Sequence, residues 1–110
     1  MPPTQQRRAL TATEVVTRLA KLEGWRLDGD GTAVVIQKTF RFVGFAQTMA
    51  FVNAVAWLAQ ARDHHPELIV QFDNCTVRYN THDVAGLSQA DFDCAAAVDA
   101  LPGAAKSVLV

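Results

Sequence analysis

Apolar residues recur along this chain in two rhythms, one of three to four residues and one of two, and their alternation lays out the elements. Thr11-x-x-Glu14 has the form of a capping box, and Val15, Val16, Leu19 and Leu22 follow at helical spacing before Gly24 supplies a stop. Trp25 to Leu27 reads as a short strand and Asp28-Gly29-Asp30-Gly31 as a turn. Val34, Ile36, Phe40 and Phe42 then alternate with Val35, Gln37, Thr39 and Arg41, a strand with one buried face in which Lys38 breaks the pattern. From Phe45 to about Asp63 a long helix is predicted, with Phe45, Met49, Val52, Ala56 and Ala59 as its core face. Pro66 biases His65 toward extended backbone, so that helix ends before it. Leu68, Val70 and Phe72, then Asp73-Asn74, then Cys75, Val77 and Tyr79 form a second hairpin. Ser88-x-x-Asp91 opens a third helix carrying Phe92, Ala95, Ala96 and Val98, ending near Leu101 before Pro102-Gly103. The order α-β-β-α-β-β-α predicts an α+β fold, a four-stranded antiparallel sheet with three helices on one face.

The second hairpin can be given a register. With Asp73-Asn74 as the two central turn residues, Phe72 opposes Cys75, Val70 opposes Val77 and Leu68 opposes Tyr79, all on one face. A one-residue slip would mix apolar and polar faces, so the pattern rejects it. Continuing the ladder sets His65 opposite His82, with Cβ atoms ~5 Å apart for directly opposed residues.

Composition narrows the possibilities. A chain of 110 residues, 50% apolar and 19% charged, makes one small globular domain. Residues 1–10, polar and proline-bearing, are expected to fray, leaving residues 11–110 as the domain. Ten basic against eleven acidic residues argue against a protein built to grip nucleic acid directly. The longest apolar run, Ala54 to Ala59, is far short of the ~20 residues that span a bilayer, and the N-terminus lacks the apolar stretch of an export signal. Cys75 and Cys94 are therefore expected as reduced, packed thiols in a cytoplasmic protein.

The candidate chemistry lies in the histidines. The chain has three, His64, His65 and His82, and the hairpin gathers them at one end of the sheet beside Asp63 and Asp83. A lone surface histidine is usually inert; convergence of all three weighs against that reading. Imidazole titrates near pH ~6.5 and can donate or accept a proton in the cell. No Ser or Cys lies within the cluster to act as a covalent nucleophile, so the pattern points to proton transfer. Zinc is the competitor, but adjacent residues on extended chain point to opposite sides and no His-Glu-x-x-His motif is present, so no metal is expected.

Asp63-His64-His65-Pro66-Glu67, the aromatic Phe72, Thr81-His82-Asp83, Gly86-Leu87-Ser88 and Asp91 together resemble the pterin-4a-carbinolamine dehydratase family. Gly24-Trp25 and the Phe-rich second strand agree with it, and the resemblance spans roughly residues 11–101. It implies a hydro-lyase acting on 4a-hydroxytetrahydropterin, which loses water to give quinonoid dihydropterin in tetrahydropterin recycling, with no metal or organic cofactor. By matching position, His64 and His82 would transfer protons and His65 would hold the pterin. Asp63, Thr81 and Asp83 would line the pocket, and Asp91 would support it. The resemblance also implies a homodimer or homotetramer, working alongside an aromatic amino acid hydroxylase.

Two positions depart from the family pattern. Gln60 stands where an acid is usual, about one turn before His64 and within reach of its ring in a continuous helix, and Leu68 stands where Trp is usual. An amide supplies no charge to an imidazolium, and Leu offers less surface for stacking a pterin. The competing reading is a non-catalytic relative, either a dimerisation cofactor of a homeodomain transcription factor or a Rubisco assembly factor. Retention of all three histidines favours the enzyme.

Overall fold

The computed structural model describes residues 8–105, in the element order the sequence predicts. Helix α1 spans Ala12–Leu19 and begins with the expected capping box: Glu14 N donates to Thr11 Oγ1, and Thr11 N donates to Glu14 Oε1. Strand β1 (Arg26–Asp28) leads through a turn and a single 3-10 turn, Gly31–Ala33, into β2 (Val35–Arg41). Helix α2 (Phe45–Arg62) crosses to the hairpin β3 (Glu67–Gln71) and β4 (Asn74–Tyr79). Helix α3 (Gln89–Asp99) follows, and a short α4 (Pro102–Ala105), which the sequence reading did not anticipate, closes the described chain. Of the segment expected to fray, residues 1–7 lie outside the described residues. Arg8 pairs with Glu14 at 2.9 Å, and Leu10 N donates to Leu87 O at 2.9 Å.

All four strands form one antiparallel sheet in the order β1-β2-β4-β3. Alternation along the strands sorts their side chains. Ile36, Phe40, Cys75, Val77 and Tyr79 point to the helices and are fully or almost fully buried with Phe51, Val55, Phe92, Ala95 and Val98. Lys38 breaks the apolar face as expected, and the structure absorbs it: its Nζ reaches Asp99 Oδ1 (2.9 Å) and Glu23 O (3.1 Å), while Trp25 Nε1 donates to Asp99 Oδ2 (3.0 Å). Both cysteines are buried free thiols, and burial pushes the Cys75 thiol up to about 11.

Two expectations are corrected. The hairpin turns on Phe72-Asp73, one position earlier, so Val70 pairs with Cys75 and Leu68 with Val77, and Val70 does not face Val77. The carbonyls of the turn explain this choice: Asp73 O accepts from Phe42 N (2.7 Å) and Phe72 O from Thr48 Oγ1 (3.0 Å), while Asn74 joins the ladder opposite both Gln71 and Arg41. A two-residue change in pairing leaves every side chain on its own face, so hydrophobic pattern cannot distinguish the registers.

The second correction concerns α2. Its buried face is Thr48, Phe51, Val55 and Ala59, whereas Phe45, Met49 and Ala56 are exposed. Apolar residues run around most of this helix, and such a helix has no unique period from which to choose a face.

Candidate active site

The end of α2 sets the site. Asp63 caps the helix in the left-handed region (φ 50°), and the chain then enters the extended backbone that Pro66 demands. From there strand parity separates the two adjacent histidines. His64 turns to the helix-covered side and is buried, 5% exposed. His65 has the parity of Glu67 and lies exposed on the open side. His82, with the parity of Arg78 and Asn80, opens a 3-10 turn (His82–Val84) after β4 and is exposed on the same side. His65 and His82 line one open recess of about 360 Å³, within the range of small-molecule sites, while His64, on the other side of the sheet, is not among its lining residues, so the expected gathering of all three is met by two. The expected direct opposition of His65 and His82 is not met, since the observed register continues to His65 opposite Asn80, but a two-residue change preserves parity and leaves both histidines on the open side.

His64 is held from behind. Its Nε2 lies 2.6 Å from Asp91 Oδ1, and its ring stacks on Tyr79 with 5.6 Å between centroids and 6° between planes. Asp91 is fully buried; its Oδ2 accepts from Thr81 Oγ1 (2.7 Å) and from Ser88 N (2.9 Å), and Thr81 and Ser88 share a further hydroxyl contact at 2.7 Å. These donors and the first turn of α3 stabilise the carboxylate's charge where water is excluded. Burial raises the Tyr79 hydroxyl well above the usual phenol range.

The other expected residues fall as follows. Thr81 and Asp91 belong to the buried network behind His64 rather than to the wall of the recess. Asp63 and Asp83 are exposed at the helix cap and in the 3-10 turn, beside the recess and outside its lining. Gln60 is exposed on the last turn of α2, and the break at Asp63 ends the continuous helix on which its reach toward His64 depended. Leu68 is half-buried against the core opposite Val77, so its departure from the family bears on packing and not on the recess.

The recess includes residues the sequence reading missed. Glu67, Arg78 and Asn80 share strand parity with the histidines, a signal present in the sequence. Thr32, Ala33 and Val35 come from the first hairpin, and only the tertiary fold brings them there. Among the described residues, no group of three His, Cys, Asp or Glu side chains is arranged to hold a metal ion. No helix among them is long and apolar enough to cross a membrane. The arrangement presents exchangeable protons on two exposed imidazoles, with a third imidazole braced by a buried carboxylate.

Known proteins share this framework. The family described as pterin 4 alpha carbinolamine dehydratase matches residues 8–101. A protein of Paracidovorax citrulli, provisionally named pterin-4-alpha-carbinolamine dehydratase, is 59% identical over 91% of this chain and 86% of its own. One of the same provisional name from Nitrosospira multiformis is 44% identical over 92% and 80%. Among solved structures, a transcriptional coactivator/pterin dehydratase from Brucella melitensis superposes with a TM-score of 0.78 at 28% identity, covering 84% of this chain and 97% of that one. A pterin dehydratase-like protein identified as a RuBisCO assembly factor in the alpha-carboxysome gives 0.62 at 28% identity, covering 78% and 94%.

Proposed function

The chain belongs to the pterin 4 alpha carbinolamine dehydratase family, and we propose that it dehydrates a 4a-hydroxytetrahydropterin by histidine acid/base catalysis, in tetrahydropterin recycling in the cytoplasm. In that reaction the bond from C4a to its hydroxyl breaks and a double bond forms from C4a to N5. The hydroxyl takes a proton from an acid and leaves as water, and the N5 proton passes to a base. The carrying observation is the meeting of His65 and His82 in one recess, with His64 clamped by Asp91 at the adjoining position of the chain.

The resemblance gives proton transfer to His64 and His82 and ring holding to His65; of these, His65 and His82 line the recess, and His64 lies buried outside its lining. Asp91 supports the part given to His64: a neutral ring that donates Nε2–H to the carboxylate keeps its lone pair on Nδ1. Asp63 and Asp83 act from the rim, and Thr81 acts through Asp91. The kinetic test is a comparison of three variants. His64→Ala and His82→Ala should each lower kcat by ~10²-fold or more, while His65→Ala raises KM at near-normal kcat. Loss of kcat in His65→Ala with turnover retained in His64→Ala would instead make His65 and His82 the transfer pair.

A homo-oligomer is part of the proposal. Much of the exposed apolar surface lies on and before α2 and around the β3–β4 turn: Val43 is 82% exposed, Phe72 69%, Trp57 67% and Phe45 58%. The Ala-rich α3 instead buries Phe92, Cys94, Ala95 and Val98 within its own domain. The RuBisCO assembly factor keeps a partner-binding reading in view; tight partner capture by a wild-type protein without dehydratase activity would favour it.

A further inference from the structure

We infer that Glu67 recognises the guanidine-like edge of the pterin, its N3–H and 2-amino group, and thereby orients the ring fusion toward His65 and His82. This rests on the dehydratase reading and adds a specificity-determining residue to the same site. Among the described residues lining the recess, Glu67 carries the one carboxylate. One of its oxygens is paired with a neighbouring cation. Arg78 Nε lies 2.7 Å from Glu67 Oε1, and the same guanidinium binds Asp28 Oδ2 at 2.9 Å and Gln37 Oε1. Gln37, Arg78 and Glu67 are direct cross-strand partners on β2, β4 and β3, so they form one row over the open face of the sheet.

Two consequences follow. Arg78 is committed to two carboxylates and an amide, so it braces Glu67 and is poorly placed to draw an anionic ligand. A carboxylate offers about four lone-pair positions, and the Arg78 pair leaves the remainder of Glu67 open to the recess, its side chain being 67% exposed. Two parallel N–H groups on a planar edge are what such a carboxylate binds best, as it does with arginine. The pterin ring carries that edge at the end remote from N5, and His65 lies two residues from Glu67, ~6.6 Å along an extended chain. An edge fixed on Glu67 therefore directs the reacting end of the ring toward the imidazoles.

The test is equilibrium binding, which needs no turnover. Wild type and Glu67→Gln are titrated with 7,8-dihydropterin and with 7,8-dihydrolumazine, which carries an oxo group in place of the 2-amino group. Wild type should prefer the dihydropterin by ~10–100-fold, the loss expected when a charged acceptor loses its donor. Glu67→Gln should reduce that preference to within ~3-fold while its thermal unfolding stays near that of wild type, which shows that the fold is intact. Retention of the full preference in Glu67→Gln would overturn the role of Glu67 and leave the dehydratase reading standing. Failure of wild type to bind either compound would overturn the reading on which it rests.

Discussion

Replacing Asp91 by Asn changes one atom of a fully buried group and probes the bracing of His64 directly. Asp91 Oδ2 accepts from Thr81 Oγ1 and Ser88 N, so an asparagine is driven to put its carbonyl there. Its amino group then occupies the Oδ1 position, 2.6 Å from His64 Nε2. An N–H donor cannot face a second N–H, so His64 must move its proton to Nδ1, and the lone pair proposed to take part in the reaction is lost. In a serine protease triad the same Asp-to-Asn exchange costs about 10⁴ in rate through the wrong tautomer. Here Asp91→Asn should lower kcat by ~10²–10⁴-fold.

The stability cost is that of a hydrogen bond to a charged group, about 1.5–3 kcal/mol, or roughly 6–13 °C in the melting temperature of a domain this size. Nitrogen-detected NMR of the His64 ring reads the tautomer independently of activity, and thermal unfolding reads stability. If Asp91→Asn moves the proton to Nδ1 yet keeps kcat within ~3-fold of wild type, His64 is not a proton-transfer residue.

Three further outcomes can be measured. The Cys75 thiol, raised to about 11 by burial, should react with thiol reagents at pH 8 only on unfolding; rapid labelling of the native protein would contradict its placement. Glu14, held down to about 2 chiefly by its hydrogen bond with Arg8 and next by Thr11 N, should titrate well below an ordinary glutamate in carboxyl-detected NMR. Because its folded value is depressed, its support for α1 is complete above about pH 4.5 and lost as pH falls through about 2; titration near 4.5 would mean the cap is not held in solution. Phe45→Asp with Trp57→Asp should shift the mass in light scattering toward the monomer with little change in thermal stability, since both side chains are exposed in the single chain. An unchanged mass would exclude this face as the interface.

How far the sequence reveals this molecule depends on whether the information is local. Thr11 and Glu14 announce the start of α1, and Ser88 and Asp91 that of α3, because a cap is a contact between near neighbours. The grouping of His65 with His82 is legible through strand parity and is indifferent to a two-residue error in register. The register itself was hidden, since it is fixed by Phe42 and Thr48 reaching the turn from β2 and α2. The core face of α2 was equally hidden, because Phe45 and Trp57 are as apolar as Phe51 and Val55, and only packing decides which of them is covered. Asp91 illustrates both sides. Its place in the capping pattern is local, but its contact with His64, 27 residues earlier, exists only once α3 packs behind the hairpin.

The most direct trial of the central claim is a stopped-flow measurement of 4a-hydroxytetrahydropterin dehydration, followed by the absorbance of the quinonoid product, with purified protein and no added metal. The dehydratase account predicts a rate that rises in proportion to wild-type protein and returns to the spontaneous rate with His82→Ala at the same concentration. A wild-type rate that stays at the spontaneous value over the whole protein range would contradict it.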